Sequence, residues 1–467
     1  MDRIYTPRVS WAKATDKSLR DYQDILSLKL QSIDVPTNVL LCGDMNCSNK
    51  MHFQLLNKYV ADITDSCISA AESVIPHTSR RQNNGRIAGW SEHVQPLRDK
   101  SLFWHNLWLD CDRPKTGAVA DCMRRTRAAY HYAVRKVKRD EDNIINERLA
   151  NSLLNNSNRD FWSEIKRIRS SKSGSCRTVD GQSEAISIAK LFADKYRDLY
   201  TSVPYDVSEM QIIQNDVNNL LKNVSSCADC IFNLCDVKSA VSHLKAHKND
   251  GSTGLTSDHI INAGDDCFTH LALLLSAITV HGTVPDNFLY STIMPIPKKK
   301  HGITSDSSNF RGITLSSIYG KLFDNIILSR YGESLRSSEL QFGFKAKSST
   351  NLCSMVLKES LAYYVDHQSS VYCTFLDASK AFDRLQYCKL FKLLVSRHLP
   401  APIIRVLINF YTGNYVRVAW CGIVSDYFLA INGVKQGGVL SPVLFCLYIE
   451  GLLVALSKAG VGCYIGE

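Results

Sequence analysis

An apolar, β-prone run, Val371-Tyr372-Cys373-Thr374-Phe375-Leu376, ends abruptly in Asp377, and a helical pattern opens at once with Ala378-Ser379-Lys380-Ala381-Phe382-Asp383. A run of this kind reads as a buried strand followed by a helix. It sets Asp377 at the C-terminal tip of that strand, where α/β sheets present their chemistry. A carboxylate held there can bind a hard cation such as Mg²⁺. The competing reading is an Asp that only caps the next helix. Taken alone, the run leaves both open.

Two further segments narrow the choice. The stretch Ile431-Asn432-Gly433-Val434-Lys435-Gln436-Gly437-Gly438-Val439-Leu440-Ser441-Pro442 is a glycine-rich turn that feeds a helix and follows a hairpin pattern, Tyr415–Trp420 and then Tyr427–Ile431. Ser441 suits the N-cap and Pro442 the first helical position. Glycine lets backbone approach a ligand closely, and Gln436 offers both a donor and an acceptor. Upstream, Ile293-Met294-Pro295-Ile296-Pro297-Lys298-Lys299-Lys300 and Asn309-Phe310-Arg311-Gly312-Ile313-Thr314-Leu315 are two short strands around a basic loop. Such a hairpin aims Lys298 or Lys299, together with Arg311, at one anionic ligand, as triphosphate binding requires.

Charge adds a second theme. The chain of 467 residues carries 55 Lys+Arg against 45 Asp+Glu, and the segment 80–172 holds 20 against 11, which is nearly all of the +10 excess. Within it Arg124, Arg125, Arg127, Arg135, Lys136, Lys138 and Arg139 crowd a helical pattern whose apolar positions include Val119, Met123, Tyr130, Val134 and Val137. The acids come mostly after this cluster, so the signs are not interleaved, and nucleic-acid contact outweighs a merely solvated face. With 45% hydrophobic and 21% charged residues the chain is globular. Its 16 cysteines are scattered, and the charged N-terminus has no apolar core of a signal peptide. The best apolar runs, Leu271–Val280 and Val443–Ile449, are short for a membrane span. These features point to an intracellular protein without a membrane partner.

The three segments, in this order, resemble the reverse transcriptases of non-LTR (LINE-type) retrotransposons. "DGSTGLTSDHI" (250–260) is similar to the leading fingers motif of that family, and "QFGFKAKSST" (341–350) to its Q-x-GF-x-x-x-x-ST motif. "FLDASKAFD" looks like polymerase motif A, and "GVKQGGVLSPVLF" like motif B, with Gly438 where the family more often has Ser. The resemblance covers roughly 225–467. It implies α+β architecture, with right-hand fingers and a partial ferredoxin-like palm. It also implies template-directed nucleotidyl transfer from dNTPs onto a DNA primer along an RNA template, with two Mg²⁺ ions. Carried over residue by residue, it gives Asp377 both metals with help from the Ala378 carbonyl. Phe382 falls under the dNTP sugar as a steric gate, Gln436 and Gly437 line the nucleotide site, and Arg311 with Lys298 or Lys299 holds the triphosphate. Asp383 and Lys380 read as structural.

The family's second carboxylate motif, Tyr/Phe-Ala-Asp-Asp, does not occur in the sequence, and Glu450 and Glu467 read as ordinary helix-end or strand-edge acids. The chain as given is therefore expected to be inactive alone, a truncated copy. The alternative is a non-catalytic nucleic-acid-binding remnant. Val39-Leu40-Leu41-Cys42-Gly43-Asp44-Met45-Asn46 resembles the G-D-x-N motif of the endonuclease/exonuclease/phosphatase fold, in which Asp44 and Asn46 would bind scissile phosphate and metal. The late Ser-Asp-His motif of that fold has no counterpart, since Ser257-Asp258-His259 lies inside the fingers block. The expected organisation is an α/β endonuclease remnant over 1–79, a mainly helical basic linker over 80–200, a connector over 201–224, and fingers with partial palm over 225–467.

Overall fold

The computed structural model describes residues 9–33, 35, 49–77, 90–140, 143–144, 147, 178–222, 230–251, 253–298, 305–345, 348–460 and 462. They fall into two compact units, one built from 1–78 with 178–467 and the other from 79–177.

The larger unit is helical around a small mixed sheet. Strand β1 (Tyr290–Pro297) pairs antiparallel with β2 (Phe310–Leu315), with Ile296 opposite Arg311. On its other side β1 runs parallel to β3 (Tyr415–Trp420), Tyr290 opposite Tyr415. Strands β4 (Ile423–Val424) and β5 (Phe428–Leu429) both pair antiparallel with β3. Both expected hairpins are present. Helix Ala185–Tyr200 covers this sheet: Phe192 meets Phe310 edge-on at 5.1 Å and lies 5.2 Å from Trp420. Gly312 permits that approach, because a Cβ there would stand 2.7 Å from the Tyr196 ring. This helix thus belongs to the larger unit and not to the basic linker. Its apolar positions Ile188, Phe192, Tyr196 and Leu199 recur every three to four residues, which makes one buried face.

The stretch 201–224 likewise holds more than a connector. Helix Val207–Lys222 buries Met210, Ile213, Val217 and Leu221, spaced 3, 4 and 4 along one face. Two helices from the N-terminal stretch, Asp16–Gln31 and Asn49–Val74, share the same core. Thr15 and Ser18 form a capping box at the start of the first. The Tyr22 hydroxyl donates to the His259 carbonyl at 2.8 Å, Tyr59 bonds His270 Nδ1 at 2.8 Å, and Thr64 bonds the Tyr319 hydroxyl at 2.7 Å. These bonds fasten both helices to helix Asp265–His281 and its neighbours. The described part of 1–79 therefore packs as helices on the larger unit; Asp44 and Asn46 lie outside the described residues.

The smaller unit pairs helix Gln95–Asp110 with helix Ala118–Arg139. Val94, Ala133 and Val137 form its core, with Trp90, Leu97, Tyr130, Val134 and Ile144 packed around them. The turn between the helices is closed by Trp108 Nε1 donating to the Pro114 carbonyl at 3.0 Å and by Arg124 donating to the Lys115 carbonyl at 2.7 Å.

Candidate nucleotide and nucleic-acid site

The expected strand before Asp377 is absent. Residues 371–378 form no regular element, and Tyr372, Phe375 and Leu376 are exposed. An apolar run becomes a strand only when its backbone groups find a pairing edge. The five described strands are committed to each other and none pairs with this run. Asp377 is accordingly exposed rather than mounted at a buried strand tip. Ala378 is exposed beside it.

Order begins just beyond. Lys380 takes a left-handed backbone, φ 54°, and the amide of Asp383 returns to the Lys380 carbonyl at 3.1 Å. Burial raises the Asp383 carboxyl above the usual range, against the Tyr200 hydroxyl that donates to it and the Lys380 charge. Asp383 is thus tied to helix Ala185–Tyr200, in keeping with a structural role. Phe382 is half-buried; its ring stacks on Phe445 at 4.9 Å and meets the edge of Phe344 at 5.7 Å.

The glycine-rich turn is bonded to both other segments. Val434 N donates to the Phe382 carbonyl at 2.8 Å and Gly433 N to the Leu385 carbonyl at 2.7 Å. Gly433, at φ 84°, has room for nothing else, since a Cβ would stand 2.7 Å from the Asp383 carbonyl oxygen. One step later the Gln436 carbonyl accepts from Thr314 N on β2 at 2.8 Å. Gly437, at φ 110°, lies against the Thr314 carbonyl, 3.2 Å from where its Cβ would be. Backbone therefore links the motif A turn, the motif B turn and the β1–β2 hairpin, three segments far apart in sequence. Gln436 is half-buried and Gly437 exposed. Lys298 and Arg311 are exposed on the same hairpin, Lys298 N donating to the Asn309 carbonyl at 2.8 Å; Lys299 lies outside the described residues.

Two elements of the site escape sequence reading. The first is a cavity of about 390 Å³ beside the motif A turn, lined among others by Lys195, Ser307, Lys380 and Arg384, with Asp180 and Asp198. Lys195 donates to the Ser307 carbonyl. Burial lowers its ammonium, Asp180 opposes that, and the charges of Lys380 and Lys298 add to it. Lys195 thus adds its charge to those of Lys380 and Lys298 from a helix outside the segments that carry them.

The second is a buried pair. Lys435 is buried with its Nζ 4.0 Å above the Phe410 ring centroid, without a hydrogen-bond partner among the described residues. Burial lowers it to about 8, against the attraction of Asp324. Asp324, on helix Ile318–Tyr331, is raised to about 6 by burial, although the Leu440 and Val439 amides and the Lys435 and Lys321 charges pull the other way. The Leu440 amide donates to it at 3.3 Å. Asp324 thereby takes the capping part expected of Ser441, which instead is the first residue of helix Ser441–Lys458. The only cue was a lysine inside a turn of apolar and glycine residues.

That helix has 18 residues at a mean hydropathy of 1.5, so the apolar stretch is longer than the short run read from sequence and reaches the length and composition of a membrane span. Ser441, Leu444, Cys446 and Leu447 on it are buried in the protein. Glu450, read from sequence as a helix-end or strand-edge acid, instead stands at its middle, where it pairs with Arg397 and accepts from Ser338 N at 3.0 Å. Ser257, Asp258 and His259 are similarly structural: Asp258 accepts from His247 N at 2.9 Å, and His259 Nδ1 accepts from Thr256 N at 3.0 Å in a capping box.

Among the described residues the donor set for two Mg²⁺ ions is not assembled. Among the described residues no three His, Cys, Asp or Glu side chains gather around one point, and Asp377 brings a single exposed carboxylate. One carboxylate cannot bridge and enclose two closely spaced divalent ions.

In the smaller unit the basic residues divide. Arg124 is spent locally, donating to the Ala120 and Lys115 carbonyls and pairing with Asp121. Arg125, Arg127, Arg135, Lys136, Lys138 and Arg139 are exposed, and Arg135 and Arg139 lie on the side opposite Ala133 and Val137.

Residues 296–465 match the family model described as reverse transcriptase (RNA-dependent DNA polymerase). The chain is 26% identical over 283 residues to the probable RNA-directed DNA polymerase from transposon X-element of Drosophila melanogaster, covering 58% of this chain and 30% of that protein. It is 29% identical over 223 residues to the RNA-directed DNA polymerase from mobile element jockey of Drosophila funebris, covering 46% and 24%. It is 25% identical over 221 residues to the probable RNA-directed DNA polymerase from transposon BS of Drosophila melanogaster, also covering 46% and 24%. The matches thus span less than a third of the length of these curated relatives.

Proposed function

We propose that this chain, whose residues 296–465 carry a reverse transcriptase domain, supplies the fingers and part of the palm of a non-LTR retrotransposon RNA-directed DNA polymerase. The observation that carries the reading is the backbone linkage of the motif A turn, the motif B turn and the β1–β2 hairpin, through Val434 to Phe382 and Thr314 to Gln436. It supports a reading in which these three segments serve one nucleotide. Arg311 and Lys298 at the hairpin offer cationic donors to a triphosphate, and Lys299 follows Lys298 in sequence; guanidinium and ammonium groups are suited to phosphate oxygens. Gly437 leaves backbone open for a base or sugar to approach, and Gln436 orients it. Phe382, wedged between Phe344 and Phe445, would exclude a 2′-hydroxyl from below the sugar. Asp377 and the Ala378 carbonyl are the metal-side groups this chain contributes. The partners are an RNA template, a DNA primer and dNTPs, in nucleus and cytoplasm.

Asp44 and Asn46 would belong to an endonuclease remnant, and the exposed cations of helix Ala118–Arg139 to a nucleic-acid surface. The test is primer extension on an RNA template by a protein containing these 467 residues. Asp377→Ala abolishes synthesis and leaves RNA binding intact, and Phe382→Val lowers the dNTP-over-rNTP ratio of kcat/KM. Undiminished extension by Asp377→Ala refutes the assignment.

A further inference from the structure

Helix Ala118–Arg139 carries an aromatic ring in the middle of its cations. Arg125, Ala128, Tyr132, Arg135 and Arg139 follow one another at spacings of 3, 4, 3 and 4, so they form a single outward stripe, with Lys136 one turn beyond Tyr132 at its edge. Tyr132 is 66% exposed in a helix whose opposite face has a core to fill. An exposed aromatic flanked by cations on both sides is the pairing that single strands use, ring to base and cation to phosphate.

Beside the stripe lies a cavity of about 650 Å³. Tyr132 and Lys136 line it from the helix; Leu97, Val137 and Ile144 give it an apolar wall; His93, Asn143, Asp140 and Glu147 complete its polar lining. The carboxylates decide what enters. They repel a phosphate, whereas they accept hydrogen bonds from the exocyclic amine of a base. The division of charge therefore sends the two parts of a nucleotide to different places, phosphates to the cationic stripe and the base inward past Tyr132.

We infer that the smaller unit is a single-strand-specific nucleic-acid site, in which Tyr132 stacks on an unpaired base directed into the cavity while Arg125, Lys136 and Arg139 hold the flanking phosphates. This rests on reading the basic helix as a nucleic-acid surface and deepens it. A base inside a duplex is already stacked on both sides, so a duplex can use the cations and not the ring.

The experiment uses the whole 467-residue chain and short RNA and DNA strands carrying 2-aminopurine, whose fluorescence falls on stacking. Wild-type protein quenches the probe in the single strand, and a duplex of the same sequence competes poorly. Tyr132→Ala weakens single-strand binding about tenfold and removes the quench, whereas Tyr132→Phe keeps both. Lys136→Gln and Arg139→Gln each reduce the log–log salt slope by about 0.7 and weaken binding. A wild-type quench that survives Tyr132→Ala, or equal competition by duplex, overturns the inference. If the two cation variants weaken binding while Tyr132→Ala is silent, the nucleic-acid surface stands and the base site falls. If all are silent, both fall. Circular dichroism checks that Tyr132→Ala, an exposed position, stays folded.

Discussion

Lys435→Met isolates the buried pair that holds the glycine-rich turn. Raising Asp324 from 3.8 to about 6 and lowering Lys435 from 10.5 to about 8 each costs the ionised form about 3 kcal/mol relative to the unfolded chain. The Asp324 contribution is favourable below pH 3.8 and lost as pH rises through about 6. The Lys435 contribution is favourable above pH 10.5 and lost as pH falls through about 8. Between those limits both groups are charged, each opposing its own burial and drawing on the other. Removing the ammonium takes from the buried carboxylate the larger of its two lysine attractions and leaves that of Lys321, which raises the cost of ionising it. Protonation relieves that cost, and loss of Lys435 moves Asp324 still higher. Hence the variant loses stability between about pH 5.5 and 8 at up to about 1.4 kcal/mol per pH unit, while wild type changes little between about pH 6 and 8, where both groups are charged. Lys435→Met with Asp324→Asn removes both charges, keeps an acceptor for the Leu440 amide, and recovers most of the loss. Urea unfolding followed by circular dichroism at pH 5.5 and 8 measures this. An equal loss at both pH values, or a double variant no better than the single, refutes the argument.

Gly433→Ala should cost at least about 1–3 kcal/mol, because its positive φ and the Asp383 carbonyl both reject a Cβ; an unchanged midpoint in the same urea titration contradicts this. Arg397→Met leaves Glu450 without its charge partner and should lower stability by about 3 kcal/mol, with Glu450→Gln in the same chain restoring part of it. His259 is lowered to about 4 by burial, so it contributes stability that is complete above pH 6.5 and lost as pH falls through 4, about 3 kcal/mol in all. His259→Asn should flatten the acid limb of the stability profile, and a limb of unchanged steepness would rule His259 out as its source.

Much of the larger unit was written locally. The β1–β2 hairpin announces itself by two apolar runs around a basic loop, and β3 with β5 by the pattern before the glycine turn. Helix Ala118–Arg139 is legible because its apolar residues recur at helical spacing while its cations fill the remainder. The conformation of Gly433 and Gly437 is also a local property, since positive φ is costly for any other residue.

What tertiary structure decided concerns partners distant in the chain. The run 371–376 has every local mark of a strand, yet a strand is defined by an edge to pair with, and none of the described strands provides one. The helices at 16–31 and 49–74 join the larger unit because Tyr22, Tyr59 and Thr64 reach residues more than 200 positions away. Asp324 and Lys435 are 111 positions apart, and no spacing rule links them; only burial beside the same turn makes one the counterion and helix cap of the other. Sequence fixes which groups are charged, apolar or free of a Cβ, whereas desolvation and pairing depend on what the fold brings alongside.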